Sequence, residues 1–557
     1  MRAPIVRIMA ALLVLAVGVM TTAQVPRSRI FSRPESPSDD VLRRLNMTLA
    51  WRQAVPMEGP KDRFLAIQLD HRDVFVLTRS GMVARLDGAT GRILWKTRVG
   101  KAYAATPSLA FNSHGVYVVA NADLYGLSRA TGNVDWEQSL PSGPGSSLVA
   151  DEDQVYVPLS TGTMAVYIVP GGRIHKEIEA TRGSTGKPRP RDAWSEYTNL
   201  ELAFSPVLTE DSVLLMSPSG KGRGYAAYMR EGVRSNALYQ FEAEGKVGAR
   251  PGQFDDRGYV ASDDGNMYAI GIFDGKLAWR YVAGSQITRT PAGFADDVYV
   301  TSRREGMARL DPETGRALWA VPVGGGKRLS VTNPSADLFL ARSAQYVYAR
   351  DFAGRVLVID RKRGTTLSMV DWTAFRFPVP NTWTDRLFLA ANDGTLLCLH
   401  DREQRSPILH QRRVNERRVL NQLRVRVLEK KLPKATLKKL LDPLMERYNL
   451  RVAEMPKDIA EKEAELLGVD NRRLWDLLVK LLEPLDLGFK VDDDAIVIVP
   501  KKDQEPDPDA KAAPPPKEPP PKEPKDKGKD KDPDKEKEKE KDKEKERRKD
   551  KDKMKDD

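Results

Sequence analysis

A chain of 557 residues with a single cysteine, Cys398, and five histidines has little to build a metal or redox centre from. One cysteine excludes an intramolecular disulfide, so the fold must rest on its core. The histidines, His71, His114, His175, His400 and His410, are scattered, with no His-Glu-x-x-His and no pair at metal-ligand spacing. No Cys-x-x-Cys-His occurs, which removes a c-type haem as electron acceptor. The glycine-rich run at 219–224 lacks the full phosphate-loop spacing and leads into an alternating segment, so it reads as a hairpin turn. Long apolar runs are missing too, except one from Ile8 to Met20, which is short of the roughly 20 residues a membrane span needs.

That run follows Arg2 and Arg7 and ends in Thr21-Thr22-Ala23. A basic start, a short apolar core and a small-x-Ala ending predict a secretory signal at 1–23, cut between Ala23 and Gln24. With no cysteine nearby, no lipoprotein anchor is encoded there. The expected location is periplasmic or envelope-associated, with no transmembrane span in the mature form.

The net charge is +12. In the tail from Asp503 onward acidic and basic residues nearly cancel. The excess therefore lies in the folded part and in a linker carrying Arg402, Arg405, Arg412, Arg413, Arg417, Arg418, Arg424 and Arg426. Outside the cytoplasm such a surface suggests an anionic envelope polymer or an acidic partner, and disfavours nucleic acid.

What the sequence has is repetition. The phrase Gly81-x-Val83-x-Arg85-Leu86-Asp87, a turn at Thr90-Gly91, then Leu94-Trp95 returns before Trp136 with Gly132, before Trp279 with Gly275 and before Trp319 with Gly315. The tryptophans recur about 40 residues apart, the length of one four-stranded propeller blade. An alternating strand meets a turn in which glycine takes positive φ, and the next strand brings the tryptophan back against a neighbouring blade. Equivalents are read at Trp51, His175, Tyr239 and Ser368. The first copy has only its outgoing strand, Leu49-Ala50-Trp51, and the last, ending at Cys398-Leu399, only its incoming one. The chain is thus expected to be mainly β, a propeller of about eight blades closed by strand exchange. Cys398 falls in the strand slot of Ala269 and Val358, a small buried hydrophobe.

The predicted organisation is a signal at 1–23, a flexible lead-in at 24–44, the propeller at 45–401, a basic linker at 402–422, a small α+β domain at 423–500 and a disordered Pro/Lys/Glu/Asp-rich tail at 501–557. A polar, Pro-rich stretch from Arg182 to Trp194 reads as a loop inserted in the ring. In the α+β segment, Leu437, Leu440, Leu441 and Leu444 share one helical face. Asp470-Asn471 can cap a second helix bearing Leu474 to Leu482, and strands follow at 487–491 and 495–499. The tail has almost no apolar residue and cannot offset the entropy of ordering.

The blade phrases "GMVARLDGATGRILWK" and "GMARLDPETGRALWAV" resemble the pyrrolo-quinoline quinone (PQQ)-like repeat. That family includes quinoprotein dehydrogenases and non-catalytic scaffolds, among them the propeller of the outer-membrane barrel-assembly machinery. The α+β segment, with "NLRV" and "LLGVDNRRLWDLLVKLLEPLDLGFKVDDDAIVIVP", resembles the short N-terminal domain of secretins and TonB-dependent receptors, a protein-contact module without catalytic residues. A lone Cys398 cannot form the adjacent-cysteine disulfide against which a quinoprotein dehydrogenase stacks its quinone. The reading is therefore a non-enzymatic, exported scaffold binding envelope proteins, with no cofactor and no metal. The alternatives are a PQQ- and calcium-dependent oxidoreductase with an atypical site, or a binder of an anionic envelope polymer.

Overall fold

The computed structural model describes residues 34–507, apart from 183–188, 229–235, 324–326, 405, 430–431, 449, 467–468, 493–494 and 506. The apolar run at 1–23, the Ala23–Gln24 junction and the chain beyond 507 lie outside the described residues.

Between residues 47 and 401 the described strands form six four-stranded and two three-stranded sheets, together with one two-stranded hairpin. Each sheet is a blade. Blade 1, for example, runs through Phe64–Leu69, Asp73–Thr78, Met82–Asp87 and Ile93–Arg98, paired antiparallel in that order. Blades 2 to 7 follow at 105–139, 149–197, 207–242, 252–282, 292–310 and 338–370. Blade 8 is made by both ends: Met47–Ala54 pairs with Thr395–Asp401, which pairs with Leu387–Ala390. Trp51 stands opposite Cys398 in that exchange, just as Trp279 stands opposite Ala269 and Ser368 opposite Val358.

Eight apolar clusters show why the ring closes. One is shared between blades 1 and 2, the next between 2 and 3, and so on, until Trp51, Cys398 and Phe388 of blade 8 pack with Val74 and Val76 of blade 1. Each sheet has two apolar faces and covers neither, so only a closed circle buries them all.

Several segments differ from the reading of the sequence. Part of the lead-in, Asp39–Arg44, forms a short helix, α1, whose Leu42 is buried against blades 7 and 8. Burial of one leucine orders a segment that composition alone marks as free. The stretch around the inserted loop carries helix α2, Arg173–Arg182, and a regular outer strand, Arg191–Tyr197, so its polar residues do not prevent pairing. His175 consequently lies on α2, buried beside Glu179, and Trp194 takes the tryptophan position opposite Val166. In blade 6 the fourth strand is diverted into a hairpin, Ala320–Val323 with Lys327–Ser330, while Trp319 stays fully buried.

The C-terminal unit contains helices α3 (Val414–Leu423), α4 (Leu437–Arg447), α5 (Lys457–Ala460) and α6 (Leu474–Leu482). Arg426–Glu429 pairs antiparallel with Val469–Arg473, and Leu432–Thr436 with Glu463–Leu466, each a two-stranded ribbon with a bulge, and Arg451–Val452, Ala495–Pro500 and Leu487–Asp492 form a three-stranded mixed sheet. The leucines of α4 and α6 meet between them with Phe489 and Ile496. Three details depart from the expected pattern. Residues 414–422, placed in the linker, belong to helix α3, and Val419 and Leu420 enter this core with Leu423. Asp470 and Asn471 sit in a strand, so the N-cap of α6 is Arg473, which makes no side-chain cap. Residues 501–503, assigned to the disordered tail, form a 3-10 turn, and the backbone N–H of Glu505 donates to Phe489 O (3.0 Å).

Candidate functional site

The repeated residues are spent between blades. Two of the four phrases end in an Asp whose carboxylate caps the turn, the others ending in Ser128 and Gly271: Asp87 accepts from the Thr90 N–H and hydroxyl (both 2.7 Å), Asp311 from those of Thr314 (both 2.8 Å). The turn closes on a glycine at positive φ, and the tryptophan of the preceding blade lies against it. Trp51 covers Gly91, Trp95 covers Gly132 and Trp279 covers Gly315; an added Cβ would stand 2.4–2.5 Å from each ring. The indole N–H then donates to a carbonyl of that turn: Trp51 to Gly88 (3.0 Å), Trp95 to Arg129 (2.7 Å), Trp279 to Pro312 and Trp319 to Arg361 (both 2.8 Å). Tyr239, lying over Gly275, does the same through its hydroxyl to Ile272 O (2.6 Å). Trp136 occupies the corresponding register opposite Gly126.

Two buried charge clusters, not anticipated from the sequence, reinforce this lattice. Asp73 at the start of the second strand of blade 1 receives Arg85 of its own blade (2.9 Å) and Arg129 of the next (2.5 Å). Asp297 does the same in blade 6 with Arg309 (2.5 Å) and Arg361 (2.7 Å), and adds Arg342 (2.5 Å). The signal was present: an Asp before Val-Phe-Val and before Val-Tyr-Val, an Arg one strand later and an Arg in the following turn.

The innermost strands line a channel whose mouth opens into a cavity of about 2280 Å3. Its wall includes Asp151, whose carboxyl burial pushes up to about 6 against hydrogen bonds from Asp153, Tyr156 and Gln154. Leu420, Asn421 and Arg424 also line it, so the C-terminal unit lies over the mouth. Arg413 pairs with Asp70 (2.5 Å), which Arg129 holds from the ring side (2.7 Å). Burial raises the Asp70 carboxyl's pKa, but Arg413 and Arg129 overcome it and hold the group well below the usual range. Glu416, also buried, meets His71 Nε2 (3.1 Å) and Arg72 (3.4 Å). Its pKa is lowered, burial being outweighed by His71 and Arg72. Arg72 further pairs with Asp492, and Arg417 with Asp255.

These contacts bear on the polyanion alternative. Arg413 and Arg417 are spent on carboxylates of the ring, and Arg412 on Glu505 of the C-terminal unit. Among the described residues, no group of three or more His, Cys, Asp or Glu side chains is placed to hold a metal ion. No helix among them is long and apolar enough to cross a membrane. Cys398 is fully buried, and burial pushes its thiol up to about 12.

Closed ring, tryptophan lattice and turn motif together define an eight-bladed propeller of PQQ-like repeats. The chain belongs to the PQQ_2 family, described as outer membrane protein assembly factor BamB, which matches residues 39–193, 79–232 and 234–414. The first two matches start at 39 and 79, one blade apart. Among solved structures, BamB from Moraxella catarrhalis is similar at 15% identity over 64% of this chain and 98% of its own, with a TM-score of 0.46. The computationally designed Ika8 protein is similar at 16% identity over 63% of this chain and 100% of its own, with a TM-score of 0.44. At these scores neither bears on what this chain does. No curated protein matches the chain.

Proposed function

We propose that the protein is an exported, non-enzymatic scaffold of the bacterial envelope that binds envelope proteins through its ring and its C-terminal unit. The observation that carries this reading is the use of the repeat. Its Trp residues dock on the glycine turn of the next blade, and Asp, where present, caps that turn, so the residues that define the family build a platform rather than a reaction centre. The family's description as an outer-membrane assembly factor supports the same reading. Export follows from the basic and apolar start of the chain, with removal of 1–23. The C-terminal unit, with two helices between two-stranded ribbons and a mixed sheet, carries the resemblance to the short secretin and TonB-receptor domain and is assigned the same contact role.

Expression in a Gram-negative host, fractionation and N-terminal sequencing test the first half. A mature protein starting at Gln24 in the envelope fraction is expected; uncleaved cytosolic protein overturns it. In-cell photocrosslinking from the ring and the C-terminal unit tests the second half. A defined envelope partner, lost on deleting 423–500, is the expected result.

A further inference from the structure

We propose that the C-terminal unit is a detachable cover over the channel mouth, seated by charge and swinging about Gln411, so that the cavity beneath it is gated. This goes beyond the scaffold reading and does not depend on export or on any partner.

Three observations carry it. The first is what the contact lacks. Every apolar cluster of the ring consists of residues between 42 and 399, and that of the C-terminal unit of residues between 419 and 498; no cluster spans the two. A permanent interface between units of one chain is normally sealed by shared apolar burial. Here, among the described residues, ion pairs cross between the units: Arg413 with Asp70, Glu416 with His71 and Arg72, Arg72 with Asp492, and Arg417 with Asp255.

The second is where the chain is fixed. Up to His410 the linker belongs to the ring: Arg402 N donates to Asn46 O (3.0 Å), Ile408 N to Asp385 (3.0 Å) and His410 N to Trp383 O (2.8 Å), and the His410 ring stands edge-on to Phe294. From Arg412 the chain belongs to the cover, because Arg412 pairs with Glu505, whose other oxygen accepts from Val491 N (2.7 Å). One residue, Gln411, separates the two anchorages.

The third is that separation leaves the ring intact. Asp70 is held from both sides, so when Arg413 departs Arg129 still neutralises it, and Asp73, Arg85 and Arg129 keep their own pairing. Glu416, buried when seated, is solvated when the cover lifts. Opening exchanges paired ions for hydrated ones and exposes no apolar core, and added salt favours the hydrated side of that exchange.

The test is a distance measurement by pulsed electron spin resonance on the full chain, with spin labels at Arg92→Cys on the ring and Lys480→Cys on the cover. Both positions are exposed, and the buried Cys398 does not label. At low ionic strength a single narrow distance is expected. Raising salt to roughly 1 M, where the screening length falls to about 3 Å, should convert most of it to a broad distribution. The double variant Arg413→Glu, Arg417→Glu should be broad already at low salt. Restoring one pair in opposite polarity, with Arg417→Glu and Asp255→Arg, should return the narrow distance. A narrow distance that ignores both salt and the double substitution refutes the proposal, as does a broad one in the unaltered protein at low salt. Should the double variant not fold, the salt series on the unaltered chain decides alone.

Discussion

Gly315→Ala isolates the reason the repeat carries a glycine after its threonine. Two costs are combined there. Gly315 has φ +68°, a region in which a side chain costs about 1–2 kcal/mol. A Cβ would also stand 2.4 Å from Trp279 Cε3 and 2.6 Å from Cδ2, so the indole must move. Displacing a packed ring costs about 1–3 kcal/mol, and the Trp279 bond to Pro312 O, lost with it, about 1 kcal/mol more. The expected total is about 3–6 kcal/mol. Gly59 supplies the control: its φ is +82°, but nothing lies within 4 Å of the added Cβ. Gly59→Ala should therefore cost only the backbone share, about 1–2 kcal/mol. Urea unfolding of both variants, followed by tryptophan fluorescence, gives the difference provided the slopes agree. Equal costs at the two positions would refute the docking argument and leave backbone conformation as the only reason for the glycine.

Asp297→Ala leaves Arg309, Arg342 and Arg361 without their shared buried carboxylate and should destabilise by about 3–5 kcal/mol in the same assay, whereas a loss under 1 kcal/mol would show the cluster is hydrated. His410 is held at about 4 by burial and by Arg342, below its ordinary 6.5. The unfolded chain therefore binds more protons between these values, so this contribution is full above pH 6.5 and is lost as pH falls towards 4, by on the order of 1–3 kcal/mol. His410→Gln should flatten that part of the stability–pH profile. Cys398, buried with its thiol pushed up to about 12, should resist a thiol reagent at mild alkaline pH in the native protein and react once urea unfolds blade 8. Reaction without unfolding would contradict its place opposite Trp51.

The blades were legible because each is specified locally. Alternation, a capped turn and a returning tryptophan are neighbours in sequence, and their spacing repeats, so periodicity alone reaches the ring, its eight members and the shared last blade. The same locality explains the misreading at blade 3. His175 stands at the expected distance after its strand, but α2 intervenes, and only pairing with Val166 identifies Trp194 as the residue that crosses to the next blade. Leu437 to Leu444 likewise announce α4 by their spacing, while the start of α6 does not show, because Asp470 and Asn471 are drawn into the strand opposite Arg426–Glu429.

Tertiary structure alone decided what the charges do. Asp70, Arg129 and Arg413 are separated by up to 343 residues and converge only because ring closure and the linker bring three segments to one mouth. In the sequence the linker arginines form a run of positive charge, which reads as an outward-facing surface. In the fold the carboxylates that neutralise Arg413 and Arg417 come from blades 1 and 5, and no local pattern encodes that distance.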